Sequence, residues 1–142
     1  LKFGGTSVSN LSRIKIVAKI ISSYIKKRFK VIVVSSAMSG ATNDLIKKSK
    51  NISNNFNSSE YDTLVSAGEQ MACALIAGRL SHLGYKSQSW LGWQVPIITN
   101  GAHTSSRIIQ IKKSKILIGK ELSMQRVKAV ESKASNLLFK AS

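Results

Sequence analysis

The chain has 142 residues, of which 43% are hydrophobic, and its 22 lysines and arginines against 6 acidic residues give a net charge of +16. This length and composition predict one globular domain and exclude intrinsic disorder. The apolar runs are too short to cross a membrane, no signal peptide is evident, and Cys73 is the single cysteine. We therefore expect a cytoplasmic protein with no membrane contact, no disulfide framework and no cysteine metal cluster.

The positive charge makes a nucleic-acid partner the first alternative to an enzyme. The lysines, however, are interleaved with isoleucine, asparagine and serine, and no basic patch with interspersed aromatic residues is present. We therefore predict solvated, non-specific lysines and no specific nucleic-acid partner, with a basic nucleic-acid binder kept as the weaker alternative.

The chain opens with "LKFGGTSV". Glycines allow backbone amides to approach a bound group closely, hydroxyls add donors, and a nearby lysine supplies a cation. A phosphate cradle is therefore predicted at Lys2, Gly4, Gly5, Thr6 and Ser7. The alternative is an ordinary strand-to-helix turn with a solvated lysine.

The next stretch has helical spacing and then a run of β-branched residues. Its apolar stripe comprises Leu11, Ile14, Ala18, Ile21 and Ile25. This spacing predicts a helix that Ser9 or Asn10 caps. The following "VIVV" is typical of a buried parallel strand. Strand, turn, helix and strand form a βαβ unit and predict an α/β fold with a right-handed crossover.

The polar turn "SSAMSGATN" follows this strand and leads into a second predicted helix. Ligands of open α/β sheets bind beyond the carboxyl ends of the strands. Ser36 and Thr42 are therefore candidate binding residues, and their alternative roles are a turn residue and a helix cap.

A third helix is predicted over about residues 60–83, with Ser59 and Asp62 as a capping box and Gly84 just past its end. Its many alanines and glycines indicate close backbone packing, so Glu69 within it should be poorly solvated. A buried carboxylate requires a cation or donors, which either a structural ion pair or the amino group of a ligand would supply. His82 is predicted to be a surface cap and His103 a loop residue, and no metal ligands are assigned.

The remaining sequence predicts one or two short strands in "KSQSWLGWQVPIITNG", with Pro96 at a turn. Residues 112–142 form a divergent basic tail. Its apolar residues at helical spacing are Val127, Val130, Ala134, Leu137, Leu138 and Ala141. We expect a terminal helix that docks on the domain, with membrane or partner binding as the alternative.

Four stretches, in order, resemble the amino-terminal part of the aspartokinases: "KFGGTSV", "VIVVSSAMSGATNDL", "LVSAGEQMACALIAGRLSHLGYKSQSW" and "ITNGAHTSSRI". The resemblance covers about residues 1–111. The opening motif is shared across amino-acid kinases, whereas "SAM-x-G-x-TN-x-L" and "SAGEQ" are more specific to aspartokinases.

The resemblance implies the amino-terminal portion of a three-layer α/β/α sandwich with a mostly parallel sheet. It implies transfer of the ATP γ-phosphoryl group to L-aspartate, giving 4-phospho-L-aspartate, the first step in lysine (through diaminopimelate), threonine and methionine biosynthesis. ATP and Mg²⁺ are the implied cofactors. By the same resemblance, Lys2 contacts the transferring phosphate, Ser36 and Thr42 line the aspartate site, and Glu69 takes the substrate ammonium group. The expected phosphate-binding residues are Lys2, Gly4, Gly5, Thr6 and Ser7.

Other aspartokinase segments do not occur in this sequence. The missing stretches are "GFQG", a "GRGGSDTTA"-like segment, a "VDGVYTADPR"-like nucleotide segment and the regulatory ACT region. We therefore expect a truncated kinase that is inactive alone, binds nucleotide poorly and binds aspartate weakly at best. A homo-oligomer, or pairing with another kinase chain, is the expected association, and a non-catalytic interaction module is the main alternative.

Overall fold

The computed structural model describes residues 1–95, 97–100, 103, 105–111 and 127–131, the last of these as backbone. The described residues form three α-helices: α1 (Leu11–Lys26), α2 (Ala41–Ile52) and α3 (Ser58–His82). They also form six strands: β1 (Lys2–Phe3), β2 (Ile32–Ser35), β3 (Ser87–Trp90), β4 (Ile97–Thr99), β5 (Ile108–Ile111) and β6 (Val127–Glu131). A short 3-10 helix, Gly92–Gln94, lies between β3 and β4. No described helix is both long and apolar enough to cross a membrane.

The main sheet is parallel and has the strand order β1-β2-β6-β3 within the described residues. Lys2 lies opposite Val34, and Phe3 lies opposite Ser35. Because both strands end at the same edge in this register, the segments that follow them leave the sheet side by side. β4 and β5 form a separate antiparallel pair. The predicted α/β fold with a mostly parallel sheet is confirmed, as are the second helix and the strands after α3.

Helix α1 forms where the apolar periodicity predicts it. The Oδ1 atom of Asn10 accepts a hydrogen bond of 2.9 Å from the backbone N–H of Arg13 and so caps the helix. The buried side chains of α1 are Ile14, Val17, Ala18, Ile21 and Ile25. Leu11 was expected in this stripe, but it is 59% exposed because it is the first helical residue, one turn before the first buried one.

The core lies between the sheet and helices α1 and α3. Its buried cluster comprises Val8, Ile14, Val17, Ala18, Ile21, Ile25, Val31, Val33, Ile76 and Leu80. Since side chains alternate along a strand, Val33 faces this core while Ile32 faces the opposite side of the sheet. Ile32 is accordingly 42% exposed. Among the described residues, the buried apolar cluster therefore lies on one face of the sheet.

An asparagine side chain caps the start of helix α3, and a glycine lies just past its end. Asn57 Oδ1 accepts hydrogen bonds from the backbone N–H groups of Ser59 and Glu60, at 2.9 and 3.4 Å. The predicted capping box of Ser59 and Asp62 is therefore wrong, because Asn57 holds the cap position and Asp62 is buried. At the other end, Gly84 has a φ of 85° and its N–H donates to the last turn of the helix at 2.9 Å. Gly84 thus lies just past the helix end, as predicted.

Residues 127–131 are a strand, whereas the sequence predicted a helix through Val127 and Val130. β6 pairs in parallel with β2 on one side and with β3 on the other. The helical prediction is wrong here because two valines three residues apart fit either structure, and pairing with two neighbouring strands decides between them. Residues 112–126 and 132–142, and the turn predicted at Pro96, lie outside the described residues.

Two adjacent isoleucines provide a test of the core. Ile21 is 0% exposed, and Ile20 is 42% exposed. We expect Ile21→Ala to lower the free energy of unfolding by about 3 kcal/mol, because it removes buried methyl groups and leaves a cavity. The matched variant Ile20→Ala should change it by less than about 1 kcal/mol. Urea unfolding followed by circular dichroism measures both, and equal losses would contradict the observed orientation of α1.

Candidate active site

Two polar turns meet at the carboxyl edge of β1 and β2. We name residues 4–7 the first turn and residues 36–40 the second turn. The N–H of Ser7 donates to the carbonyl oxygen of Gly4 at 2.9 Å and closes the first turn. The N–H of Ser36 donates to the carbonyl oxygen of Phe3 at 3.0 Å, which holds the start of the second turn against the end of β1. The candidate residues of both strands therefore share one edge, the usual ligand position in such sheets.

The side chain of Lys2 reaches the first turn. Lys2 lies on β1 and is exposed, and a Cβ atom placed on Gly4 would be 3.6 Å from its Nζ atom. The ammonium group thus lies beside a backbone that carries no side chain. Thr6 is exposed and Ser7 is half-buried in the same turn. The structure therefore brings together a cation, a glycine backbone and two hydroxyl residues, a set that suits an anionic oxygen.

The first turn and α3 both approach the second turn closely at Ala37. Ala37 is buried, at 6% exposure. A Cβ atom on Gly5 would lie 3.3 Å from the Ala37 carbonyl oxygen, and one on Gly68 would lie 3.0 Å from the Ala37 Cβ. Both distances are shorter than the usual contact of about 3.5–4.0 Å, so the two glycines permit this approach. We call this contact of Gly5, Ala37 and Gly68 the Ala37 junction.

Glu69 follows Gly68 directly and is therefore held beside the Ala37 junction. The residue is 6% exposed, in agreement with the expected poor solvation. The buried face of α3 has two halves: Asp62, Ser66 and Glu69 precede Ala72 and the apolar residues that reach the core. A polar buried face contributes little hydrophobic stabilisation and has to be matched by partners. We call residues 62–69 the polar half of α3, and Glu69, its last residue, is the one that lies next to the Ala37 junction.

Ser36 and Thr42 flank the second turn. Ser36 follows β2, Thr42 is the second residue of α2, and both are half-buried. Gly40 is the N-cap residue of α2, with a φ of 82° that favours glycine and with no side chain to cap the helix. The first-turn amides of α2, and the positive end of its dipole, therefore lie at the second turn and favour an anion there.

One pair of side chains was missed by the sequence analysis. The Nδ1 atom of His103 lies 2.9 Å from Oδ2 of Asp62, and the two side chains are 29% and 1% exposed. His103 is in the predicted loop, but its partner is 41 positions away and was assigned to a cap. The one signal in the sequence was that Asp62 falls on the same helical face as Glu69, seven residues later.

The described residues of the candidate site suit ATP better than Mg²⁺, the other implied cofactor. Lys2, the glycine backbone of the first turn and the amino end of α2 suit the phosphate groups of ATP. Among the described residues, no group of three or more His, Cys, Asp or Glu is able to hold a metal ion.

Sequence comparison supports the resemblance. The family model "Amino acid kinase family" matches residues 1–124, past Ile111, where the aspartokinase motifs end. The aspartokinase of Rickettsia felis is 44% identical over 113 residues, which cover 78% of this chain and 28% of that protein. The aspartokinase of Geobacillus stearothermophilus is 43% identical over 115 residues, which cover 81% of this chain and 28% of that protein. The chain thus spans about 28% of the length of these curated relatives.

Structure comparison gives the same fold. The aspartate kinase from Synechocystis superposes with a TM-score of 0.72 at 29% identity, covering 93% of this chain and 22% of that one. E. coli aspartokinase III in complex with aspartate and ADP superposes with a TM-score of 0.69 at 19% identity, covering 93% of this chain and 41% of that one. The predicted amino-acid-kinase fold class is confirmed by these structures.

Two glycines of α3 test the Ala37 junction. A Cβ atom on Gly68 would lie 3.0 Å from the Ala37 Cβ, whereas one on Gly78 would meet nothing within 4 Å. Both alanine substitutions gain the same helix propensity, so their difference reports the clash. We expect Gly68→Ala to be less stable than Gly78→Ala by about 1–3 kcal/mol, measured by urea unfolding. Equal stabilities would show that the junction is not tightly packed.

Proposed function

The chain belongs to the amino acid kinase family, and we propose that it carries the aspartate- and phosphate-binding half of an aspartokinase. The proposed reaction transfers the ATP γ-phosphoryl group to the β-carboxylate of L-aspartate and yields 4-phospho-L-aspartate, which opens lysine, threonine and methionine biosynthesis. Support comes from the two aspartokinases at 44% and 43% identity. The alternatives, an interaction module or a nucleic-acid binder, gain no support from these relatives.

The observation that carries the proposal is the Ala37 junction. Gly5 belongs to the first turn, which the Lys2 ammonium reaches, and Gly68 directly precedes the buried Glu69 carboxylate. One packed contact therefore sets a cation and a buried anion at the same edge of the sheet. Aspartate and a phosphoryl group together need such a pair of opposite charges.

On this proposal the buried carboxylate binds the substrate amine. L-aspartate carries one ammonium group and two carboxylates at neutral pH. The Glu69 carboxylate is complementary to the ammonium group, and their attraction is strengthened where water is largely excluded. The hydroxyl groups of Ser36 and Thr42, and the amino end of α2, offer donors to the substrate carboxylates. This arrangement orients the acceptor for attack.

The first turn serves the phosphoryl group. An oxygen of the substrate β-carboxylate forms a bond to the γ-phosphorus while the bond from phosphorus to the ADP oxygen breaks. Lys2 offsets the negative charge on the transferring oxygens, and the amides of Gly4 and Gly5 orient them. Thr6 and Ser7 add hydroxyl donors in the same turn. ATP supplies the phosphoryl group when bound.

Aspartate binding tests the role of Glu69. By isothermal titration calorimetry we expect the 142-residue chain to bind L-aspartate more tightly than succinate, which lacks the amine. Glu69→Gln keeps the side-chain shape but removes the charge, so aspartate affinity should fall by about 30-fold or more. The preference for aspartate over succinate should disappear in this variant.

The matched control is Glu60→Gln, at an exposed position in the first turn of the same helix. It should leave aspartate affinity unchanged. A wild-type chain that binds succinate as well as aspartate, or a Glu69→Gln variant with full aspartate preference, would refute the proposed role of Glu69.

Catalysis is expected to need more than these residues. Phosphoryl transfer depends on positioning and charge neutralisation around the nucleotide, and the nucleotide-binding motifs of the aspartokinases do not occur in these 142 residues. We predict that a coupled assay with ATP, Mg²⁺ and aspartate detects no turnover by this chain alone. Turnover should appear when another kinase chain or segment supplies those residues. Aspartate-dependent turnover by the chain alone would contradict this prediction.

A further inference from the structure

Asp62 is more deeply buried than the proposed substrate-binding carboxylate. It is 1% exposed, against 6% for Glu69. An ionised carboxylate in such a position is costly unless a donor or cation compensates it. His103 supplies compensation, with its Nδ1 atom 2.9 Å from Oδ2 of Asp62. The proposed phosphoryl transfer does not use either residue.

His103 belongs to the connection between β4 and β5, which together form a hairpin. At the base of this connection, the N–H of Asn100 donates to the Arg107 carbonyl oxygen at 3.0 Å. The N–H of Arg107 donates in turn to Oδ1 of Asn100 at 2.9 Å. The residues of β5 are all exposed, and those of β4 are half-buried. Hydrogen bonds within the hairpin therefore stabilise it, but its strands bury too little surface to attach it firmly to the rest of the domain.

The contact with Asp62 joins this hairpin to the polar half of α3. Asp62, Ser66 and Glu69 are all buried and are spaced by four and three residues, so they share one face of the helix. Asp62 and Glu69 are about 10 Å apart along the helix axis, at about 1.5 Å per residue. The hairpin is thus attached two turns from Glu69, on the same face.

We propose that Asp62 and His103 form a positioning pair that holds the β4–β5 hairpin against α3 and thereby keeps the aspartate site in its binding arrangement. The inference rests on the proposed function. The pair acts through the hairpin and not by contact with substrate. Substituting a side chain that serves only global stability would speed hydrogen exchange throughout the core. Substituting this pair should instead affect the exchange of the hairpin amides and the affinity for aspartate.

Hydrogen exchange followed by mass spectrometry tests the attachment in the 142-residue chain. We expect backbone amides of residues 97–100 and 105–111 to exchange roughly 10-fold faster in His103→Ala, because a hydrogen bond to a charged group is lost. Amides of α1 should keep their exchange rates. In His103→Asn the amide nitrogen replaces Nδ1, so the hairpin rates should stay near wild type. His82→Ala, at the exposed end of α3, is the matched histidine control.

Loss of His103 alone leaves a buried carboxylate, which by itself is able to disturb the fold. The double variant Asp62→Ala with His103→Ala removes both partners and so avoids an uncompensated charge. It should still show fast hairpin exchange with unchanged α1 exchange. Protection of the hairpin in the double variant would overturn the inference.

Calorimetry with L-aspartate on the same variants tests the positioning role. The Kd should rise roughly 10-fold in His103→Ala and in the double variant, by analogy with the loss of other supporting contacts around a site. It should stay near wild type in His103→Asn and His82→Ala. Unchanged hairpin exchange in His103→Ala, or fast exchange with unchanged aspartate affinity, would overturn the inference. If the wild-type chain binds no aspartate, the proposed function fails, while the exchange rates still decide whether the pair holds the hairpin.

Discussion

At Ala37 three segments of the chain approach each other more closely than side chains permit. The first turn arrives through Gly5, and helix α3 arrives through Gly68, at hypothetical Cβ distances of 3.3 and 3.0 Å. Because packed interiors do not deform continuously, this contact determines where the neighbouring groups lie. Lys2 reaches the first turn, and Glu69 follows Gly68, so the charges of the candidate site depend on two positions that carry no side chain.

Helix α3 serves the core with one half and the site with the other. Its carboxyl half presents apolar residues such as Ile76 and Leu80, both 0% exposed, to the core. Its amino half buries Asp62, Ser66 and Glu69, which offer little hydrophobic gain and require polar partners. The stability of the apolar half therefore supports a costly polar half, as is common where binding groups are held in place before a ligand arrives.

The electrostatic character of the chain is consistent with anionic ligands. A net charge of +16 attracts anions at long range, although salt screens this effect beyond about 8 Å at physiological ionic strength. Close recognition needs fixed groups instead, and the proposed function assigns this role to the Lys2 ammonium, the amino end of α2 and the amides of the first turn. The buried Glu69 adds a carboxylate to these groups, which on the proposed function would favour an amino acid over a simple dicarboxylate.

The sequence by itself determined the features that depend on near neighbours. A few consecutive residues are enough to predict each of these features: the α1 periodicity, the βαβ order, the polar turns and the burial of Glu69. Tertiary structure alone decided the Ala37 junction, the pairing of Asp62 with His103 across 41 positions, and the assignment of Val127 to a strand. In each case the partner lies far away in the chain, and local spacing fits more than one structure until that partner is in place.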